Sequence, residues 1–244
     1  MSRRVTGSVA LRVLEQLRRD PRTIVLILGV PCLLELLLQQ LFGRHSPVFQ
    51  KVGTPLLGLF PFITMFLVTS ITMLRERTSG TLERLMTMPL HKVDILAGYS
   101  IAFALVAVVQ ATLVSLLAFG LLGLDTAGPK WLVVVLAVAN AVLGSTLGLF
   151  VSAFAQTEFQ AVQFMPAVVF PQIFLCGLFV PREEMATWLR VISYFLPLTY
   201  AYDALARTAA DQLDARFALN VAVVCGCIVL AVSLGAATLR RRTD

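Results

Sequence analysis

The chain has 244 residues, of which 58% are hydrophobic and only 14% are charged, with a formal net charge of +6. Soluble domains usually have about 45–50% apolar and about 25% charged residues, so this composition excludes a soluble globule and indicates a membrane protein. The basic residues lie outside the apolar runs, where positive charge orients a membrane protein. We therefore expect no nucleic-acid partner.

Residues 1–22, ahead of the first apolar run, predict an amphipathic helix in the lipid headgroup region. The apolar face carries Val9, Val13, Leu14 and Leu17, and the polar face carries Arg12, Glu15, Gln16, Arg18 and Arg19. Asp20-Pro21 ends the helix, because proline disfavours helical backbone in the residue before it. The alternative is a basic topogenic segment. No short apolar h-region of a signal peptide is present, so we expect the mature chain to begin at Met1.

Six apolar runs are long enough to cross a bilayer, which needs about 20 helical residues. They are residues 24–42, 55–74, 95–122, 131–155, 159–180 and 217–239. The sequence therefore predicts an all-α polytopic membrane protein with six transmembrane helices in one domain, 1–244. Pro166 and Pro171 predict a break in the fifth run. The third run is long enough to tilt, extend past the interface or break.

The Lys and Arg residues predict the orientation. If the amino terminus is cytoplasmic, most of the 20 Lys and Arg residues fall in inner segments. We therefore expect both termini on the cytoplasmic side of the cell membrane.

The polar segment 75–92, between the second and third runs, predicts a short cytoplasmic helix. Gly80 breaks the descending helix, Ser79 or Gly80 caps a new one, and Glu83 falls in its first turn. Leu82, Leu85 and Met86 share one face, and Pro89 ends the helix. Such a helix suits docking into a groove of a soluble partner. An ordinary charged loop is the alternative.

Three motifs carry a resemblance to a known family. The pattern E-R-x-x-G-T-L-E-x-L-x-x-x-P begins at Glu76, P-x-x-x-x-x-G-x-x-x-P begins at Pro171, and L-P-L-T-Y-x-x-D-A-L begins at Leu196. Together they resemble the ABC-2 type transporter permeases, the membrane subunits of ATP-driven exporters of the daunorubicin-resistance kind. The family usually has an arginine directly after the third motif, whereas here Ala206 precedes Arg207.

The resemblance implies that the short helix, from about Gly80 to Met88, is a coupling helix that contacts an ABC ATPase subunit. The residues assigned to this contact are Arg75, Glu76, Arg77, Gly80, Thr81, Leu82, Glu83, Arg84, Leu85, Met86 and Pro89. Their charges are candidates for pairing with either the ATPase or the amino-terminal helix. No G-x-x-x-x-G-K-[ST] phosphate loop occurs in the sequence. We therefore expect no ATPase activity and no cofactor in this chain, ATP and Mg on the partner, and a second permease copy or a sister permease.

Polar residues in the spans suggest a substrate path. Glu35 and Gln39 share a helical face, and Asn140, Phe164 and Pro171 complete the candidate set. An ionisable group inside a membrane is often functional, but Glu35 also allows a structural or snorkelling role. Gly144 and Gly148, beside Ser145 and Thr146, favour close helix packing over a ligand site.

Segment 181–216 is too apolar for a free outer loop and predicts re-entrant short helices in the outer leaflet, which the resemblance identifies as an extracellular gate. The gate candidates are Pro181, Trp188, Tyr194, Pro197, Tyr200 and Asp203. An interfacial aromatic belt is the alternative for Trp188 and Tyr194.

The aromatic residues bear on the substrate: 16 are Phe, against two Trp and four Tyr. An amphiphilic drug, lipid or glycolipid fits this composition better than a polysaccharide, which stays an alternative. An ion-coupled secondary transporter centred on Glu35 is the other. A membrane enzyme is disfavoured because no metal or acid–base constellation occurs and both histidines, His45 and His91, lie outside the spans. The sequence names neither the substrate nor the ATPase.

Overall fold

The computed structural model describes residues 3–81 and 92–238, and within these ranges every regular element is helical. The ten α-helices of the described residues are α1 (Arg3–Arg18), α2 (Pro21–Phe42), α3 (Pro47–Thr78), α4 (Lys92–Leu117), α5 (Lys130–Val151), α6 (Glu158–Phe164), α7 (Phe170–Leu175), α8 (Thr187–Ser193), α9 (Pro197–Ala209) and α10 (Ala215–Thr238). A π-helical turn, Ala118–Leu122, extends α4, and a 3-10 turn, Ser152–Phe154, extends α5.

Five of the described helices are long and apolar enough to cross a membrane by length and composition. They are Pro21–Phe42, Pro47–Thr78, Asp94–Leu122, Lys130–Phe154 and Ala215–Ala237, and each contains one of the predicted runs or nearly all of it. The protein is thus an all-helical membrane protein. The predicted sixth span, 159–180, corresponds to α6, a π-helical turn at Met165–Val169, and α7. The count of six spans stays a prediction.

Proline determines where several of these elements start and break. Asp20 caps α2, with its Oδ1 accepting from the Thr23 backbone N–H at 3.2 Å, and Pro21 occupies the first helical position. Ser46 caps α3 in the same way ahead of Pro47, so α3 begins well before the predicted boundary at residue 55. In the fifth segment the helix continues from residue 158 to residue 175 and changes to a π-helical turn around Pro166, while Pro171 is the second residue of α7. The structure therefore shows a distortion at Pro166 where a break was predicted.

The seam between α3 and α5 forms the centre of the bundle. Gly144 and Gly148 of α5 lie against the backbone carbonyls of Phe62 and Phe66 in α3, and a Cβ at Gly148 would meet the Phe66 oxygen at 2.5 Å. The absence of side chains at these two positions lets the helix backbones approach closely. The expectation of close packing at this pair of glycines is confirmed.

Helix α1 packs on the amino-terminal end of α4 and becomes part of the bundle. We call this the inner end of the bundle, because the basic residues predict that it faces the cytoplasm, and we call the opposite end the outer end. Val9, Ala10 and Val13 are buried against Ile95, Leu96 and Tyr99 in one apolar cluster. A Cβ at Gly98 would lie 2.7 Å from Val9 Cβ and 3.0 Å from the Thr6 carbonyl oxygen. The absence of a side chain at Gly98 therefore allows α1 to pack closely against the backbone of α4. The apolar face predicted for residues 9–17 is therefore used for packing on α4.

Candidate functional site

The inner end of α3 carries the first half of the motif that began at Glu76. Arg75, Glu76 and Arg77 lie in its last turns, and Gly80 follows with a φ of +71°, in the left-handed region that glycine tolerates best. The predicted break at Gly80 is confirmed. Leu82, Glu83, Arg84, Leu85, Met86 and Pro89 lie outside the described residues, so the coupling helix itself stays a prediction.

Glu76 joins three helices. Its carboxylate is buried, with 3% of the residue exposed, and Oε2 accepts from Arg12 Nη2 of α1 at 3.2 Å and from Tyr99 Oη of α4 at 2.8 Å. Arg12 Nη2 also donates to Tyr99 Oη, and the guanidinium carbon lies 5.7 Å from the centroid of the Tyr99 ring. We call Arg12, Glu76 and Tyr99 the inner clamp.

The inner clamp depends on all three partners because a buried charge is unfavourable unless it is paired and hydrogen-bonded. Tyr99 is fully buried, whereas 34% of the Arg12 side chain is exposed to solvent. Solvent reaches the ion pair only at Arg12, so it screens the Arg12–Glu76 attraction only in part. Loss of either charged partner leaves the other without its counter-charge at the junction of α1, α3 and α4.

Arg75 and Arg77 have different surroundings. Arg75 donates from Nε and Nη2 to both carboxylate oxygens of Glu158 at 2.8 and 3.0 Å, which connects α3 to the first residue of α6. The hydrogen bond from Arg75 holds the pKa of Glu158 below its usual value. Both side chains are more than half exposed, so this pair positions α6 and adds little stability. Arg77 is half-buried, and its Nε has no hydrogen-bond partner among the described residues.

The sequence left open whether the charges of this segment pair with an ATPase or with the amino-terminal helix, and the structure gives partners for Arg75 and Glu76. Glu76 pairs with the amino-terminal helix and is buried, so its carboxylate is not available to another protein in this conformation. Arg75 pairs with Glu158 at the surface and stays accessible. Thr81 lies at the edge of the described segment, with its hydroxyl 3.0 Å from Ser79 Oγ.

The residues of the predicted substrate path lie on four helices: α2, α5, α6 and α7. Glu35 is fully buried on the α2 face that it shares with Ile27 and Pro31, and neither of its oxygens has a hydrogen-bond partner in the described residues. Gln39, on the same face, accepts from Gln40 at 3.1 Å. Asn140 lies in α5 beside Gly58 of α3.

The fifth segment contributes an open cavity. It has a volume of about 430 Å³ and is lined by Phe154, Gln156, Gln160, Gln163, Phe164 and Ala167. Of the path candidates on this segment, Phe164 reaches the cavity and Pro171 is exposed one helix further on. No described hydrogen bond joins Glu35, Asn140 and the fifth segment into one site.

Gln110 is a buried polar residue that the sequence analysis did not single out. Its Nε2 donates to the Ile27 carbonyl of α2 at 2.7 Å and to Thr64 Oγ1 of α3 at 2.5 Å. A single amide inside a long apolar run was the available signal, because such a group requires a partner in hydrocarbon. Gln110 connects α2, α3 and α4 through the second turn of α2.

On the outer side, Asp203 is the centre of a polar cluster. Its Oδ2 lies 3.1 Å from Arg207 Nε, 2.7 Å from Asn220 Nδ2 of α10 and 3.4 Å from Arg182 Nη2. Arg207 also donates to Asp214 at 3.0 Å. The cluster ties α9 to the last span. Sequence reasoning selected Asp203 but missed Arg182 and Asn220, which are distant in the chain.

The other gate candidates lie along the same segment of the chain, from Pro181 to Tyr200. Tyr200 Oη donates to the Tyr194 carbonyl at 2.8 Å, and Pro197 is the first residue of α9. Pro181 precedes a 3-10 turn, Arg182–Glu184, and Trp188 is 66% exposed. Short helices therefore occupy the segment as expected, and their insertion into the outer leaflet stays a prediction.

Comparison with known proteins places the chain among membrane transporters. The family model described as "ABC-2 type transporter" matches residues 5–209. "ABC transporter G family member 20" of Dictyostelium discoideum is 28% identical over 67% of this chain and 23% of its own length. "Probable multidrug ABC transporter permease YbhR" of Escherichia coli K12 is 29% identical over 69% of this chain and 46% of its own.

A third relative is "Linearmycin resistance permease protein LnrN" of Bacillus subtilis, which is 26% identical over 63% of this chain and 39% of its own length. In all three comparisons the matched segment spans less than half of the relative.

Proposed function

Because the chain belongs to the ABC-2 type transporter family, we propose that it is the permease subunit of an ATP-driven exporter. A separate nucleotide-binding subunit supplies the energy, and a second permease copy or a sister permease completes the path. Both termini face the cytoplasm in the cell membrane. The family match over residues 5–209 is the observation that carries the proposal.

The inner end of α3 supports a role in coupling. Residues 82–91, which we call the coupling segment, connect α3 to α4 in the chain. The inner clamp joins the same two helices through Glu76 and Tyr99. The Arg75–Glu158 pair adds the start of α6 to this base. Force applied to the coupling segment by an ATPase would therefore reach α1, α3, α4 and α6 together.

We propose an amphiphilic drug, lipid or glycolipid as the substrate. The cavity beside the fifth segment combines Phe154 and Phe164 with the amides of Gln156, Gln160 and Gln163, and so offers both apolar surface and hydrogen-bonding groups. Two of the relatives are named for multidrug transport and for linearmycin resistance. Those names support this class of substrate for the present chain.

Charge reversal in the coupling segment tests the proposal. The chain is purified in lipid with a candidate ABC ATPase, and co-purification and ATPase activity are measured for wild type, Glu83→Arg and the control Glu183→Arg. Glu183 is exposed in the outer 3-10 turn, so its reversal changes the net charge equally without touching the coupling segment. We expect Glu83→Arg to reduce co-purification or stimulated ATPase activity at least tenfold and Glu183→Arg to match wild type. Equal behaviour of the two variants would contradict the coupling role.

A further inference from the structure

An apolar cleft lies where α1, α2 and α4 meet. It has a volume of about 340 Å³, and its lining includes Leu14 and Leu17 of α1, Ile24 of α2, and Leu105 and Val109 of α4. Arg18, the last residue of α1, is the charged group of the lining. The cleft exists because Gly98 and the inner clamp hold α1 on α4, while the chain reverses at Asp20 to enter α2.

The cleft lies at the inner end of the first span. Ile24 is in the first turn of α2, and the next turn is fixed by the bond from Gln110 to the Ile27 carbonyl. The apolar lining thus continues directly from the charged helix end into the span. A molecule bound here has one end among basic residues and the other in hydrocarbon.

Three arginines lie in the chain between the end of α1 and the first turn of α2. Arg18, Arg19 and Arg22 are exposed, and none of them forms an ion pair with any residue in 3–81 or 92–238. The nearest carboxylate in sequence, Asp20, accepts from the Thr23 hydroxyl at 2.6 Å and is engaged as the cap of α2. Arg18 therefore lines the cleft without a salt-bridge partner among the described residues, and Arg19 and Arg22 add positive charge next to it in the chain.

We propose that this cleft binds one anionic phospholipid of the inner leaflet, with an acyl chain between α1, α2 and α4 and the phosphate against Arg18. The lining is apolar apart from Arg18, and Arg18 has no ion-pair partner among the described residues, so the cleft suits an amphiphile with an anionic headgroup. Because a lipid chain is already in hydrocarbon, the apolar lining gives little selectivity, and the headgroup charge provides it.

Native mass spectrometry of the full-length chain in detergent tests this site. Phosphatidylglycerol and phosphatidylcholine with identical acyl chains are titrated, and retained lipid is counted per chain. We expect one phosphatidylglycerol to be retained in preference to phosphatidylcholine. Arg18→Gln should lower that preference about fivefold, the effect of one arginine near an anionic headgroup. Arg4→Gln, which removes the same charge from the exposed far end of α1, should match wild type.

A second pair of variants tests the acyl-chain part of the cleft. Val109→Trp fills the lining, and because Val109 is 58% exposed the substitution is compatible with folding. Val108→Trp, at an exposed neighbour outside the lining, is the control. We expect Val109→Trp to reduce retention of both lipids at least fivefold and Val108→Trp to retain them.

Equal retention of the two lipids by wild type, or retention by Val109→Trp equal to that of Val108→Trp, would overturn the proposal. The assay needs neither ATP nor a partner subunit, so its outcome is independent of the proposed export function.

Discussion

At the scale of single residues, Glu76 shows how a motif position acquires its role from distant parts of the chain. The sequence marks Glu76 as charged and next to the coupling segment, but its partners come from α1 and α4. Its burial makes the carboxylate dependent on both. Asp203 repeats this arrangement on the outer side, where Arg182, Arg207 and Asn220 approach one carboxylate oxygen from three segments.

A double-mutant cycle tests the inner clamp. Glu76→Gln and Arg12→Gln should each destabilise the protein by ~1–3 kcal/mol, less than a fully buried pair because Arg12 is partly exposed. The double variant should lose much less than the sum, since neither charge is then left alone. Denaturant unfolding in detergent measures these differences, with Arg4→Gln as the control. Strict additivity would mean that the 3.2 Å contact carries no interaction energy.

At the scale of helices, glycine at the α3–α5 seam determines how closely the bundle packs. Gly144→Ala places a methyl group against the Phe62 carbonyl, so the backbones must separate, at a cost of ~1–3 kcal/mol. Gly226→Ala in α10 meets nothing within 4 Å and should be neutral or stabilising by up to ~1 kcal/mol, because alanine is the better helix former. Unfolding temperature and the yield of monodisperse protein measure both. A Gly144→Ala protein as stable as Gly226→Ala would contradict the close seam.

The elements themselves were largely predictable from the sequence. The long helices follow from apolar runs, and their starts at Pro21 and Pro47 follow from capping residues. The early start of α3 was missed because residues 47–54 are more polar than a span requires, although Ser46 and Pro47 are a helix start signal. The π-helical distortion at Pro166 was predictable because proline lacks an N–H, although the sequence predicted a break there.

Pairings between elements were not predictable. The sequence offered Glu76 both the ATPase and α1, and nothing in chain order distinguishes them, since Arg12 lies 64 residues away. Gln110 escaped notice because its partners, the Ile27 carbonyl and Thr64, carry no sequence signal of their own. The relative positions of the substrate-path candidates were not predictable for the same reason, because Glu35, Asn140 and the fifth segment lie on different helices.

At the scale of the whole molecule, polar connections concentrate at the two ends of an apolar bundle. The inner clamp and the Arg75–Glu158 pair join four helices at the inner end, and the Asp203 cluster joins α9 to α10 at the outer end. Between them, Gln110 bridges three helices. These inner contacts lie beside segment 82–91, and the proposed coupling to an ATPase depends on them.

Transport by the complex reconstituted in liposomes tests whether ATP drives this protein through the connection between α3 and segment 82–91. Movement of a fluorescent amphiphile is measured with ATP, and separately with a proton gradient and no ATP, for wild type, Gly80→Pro and Glu35→Gln. Proline is incompatible with the φ of +71° at Gly80, so this variant disturbs the connection between α3 and the coupling segment.

We predict transport only with ATP, at least tenfold slower in Gly80→Pro. The opposite result is transport driven by the proton gradient without ATP, unaffected by Gly80→Pro and abolished by Glu35→Gln. That result would contradict ATP-driven export and indicate an ion-coupled carrier.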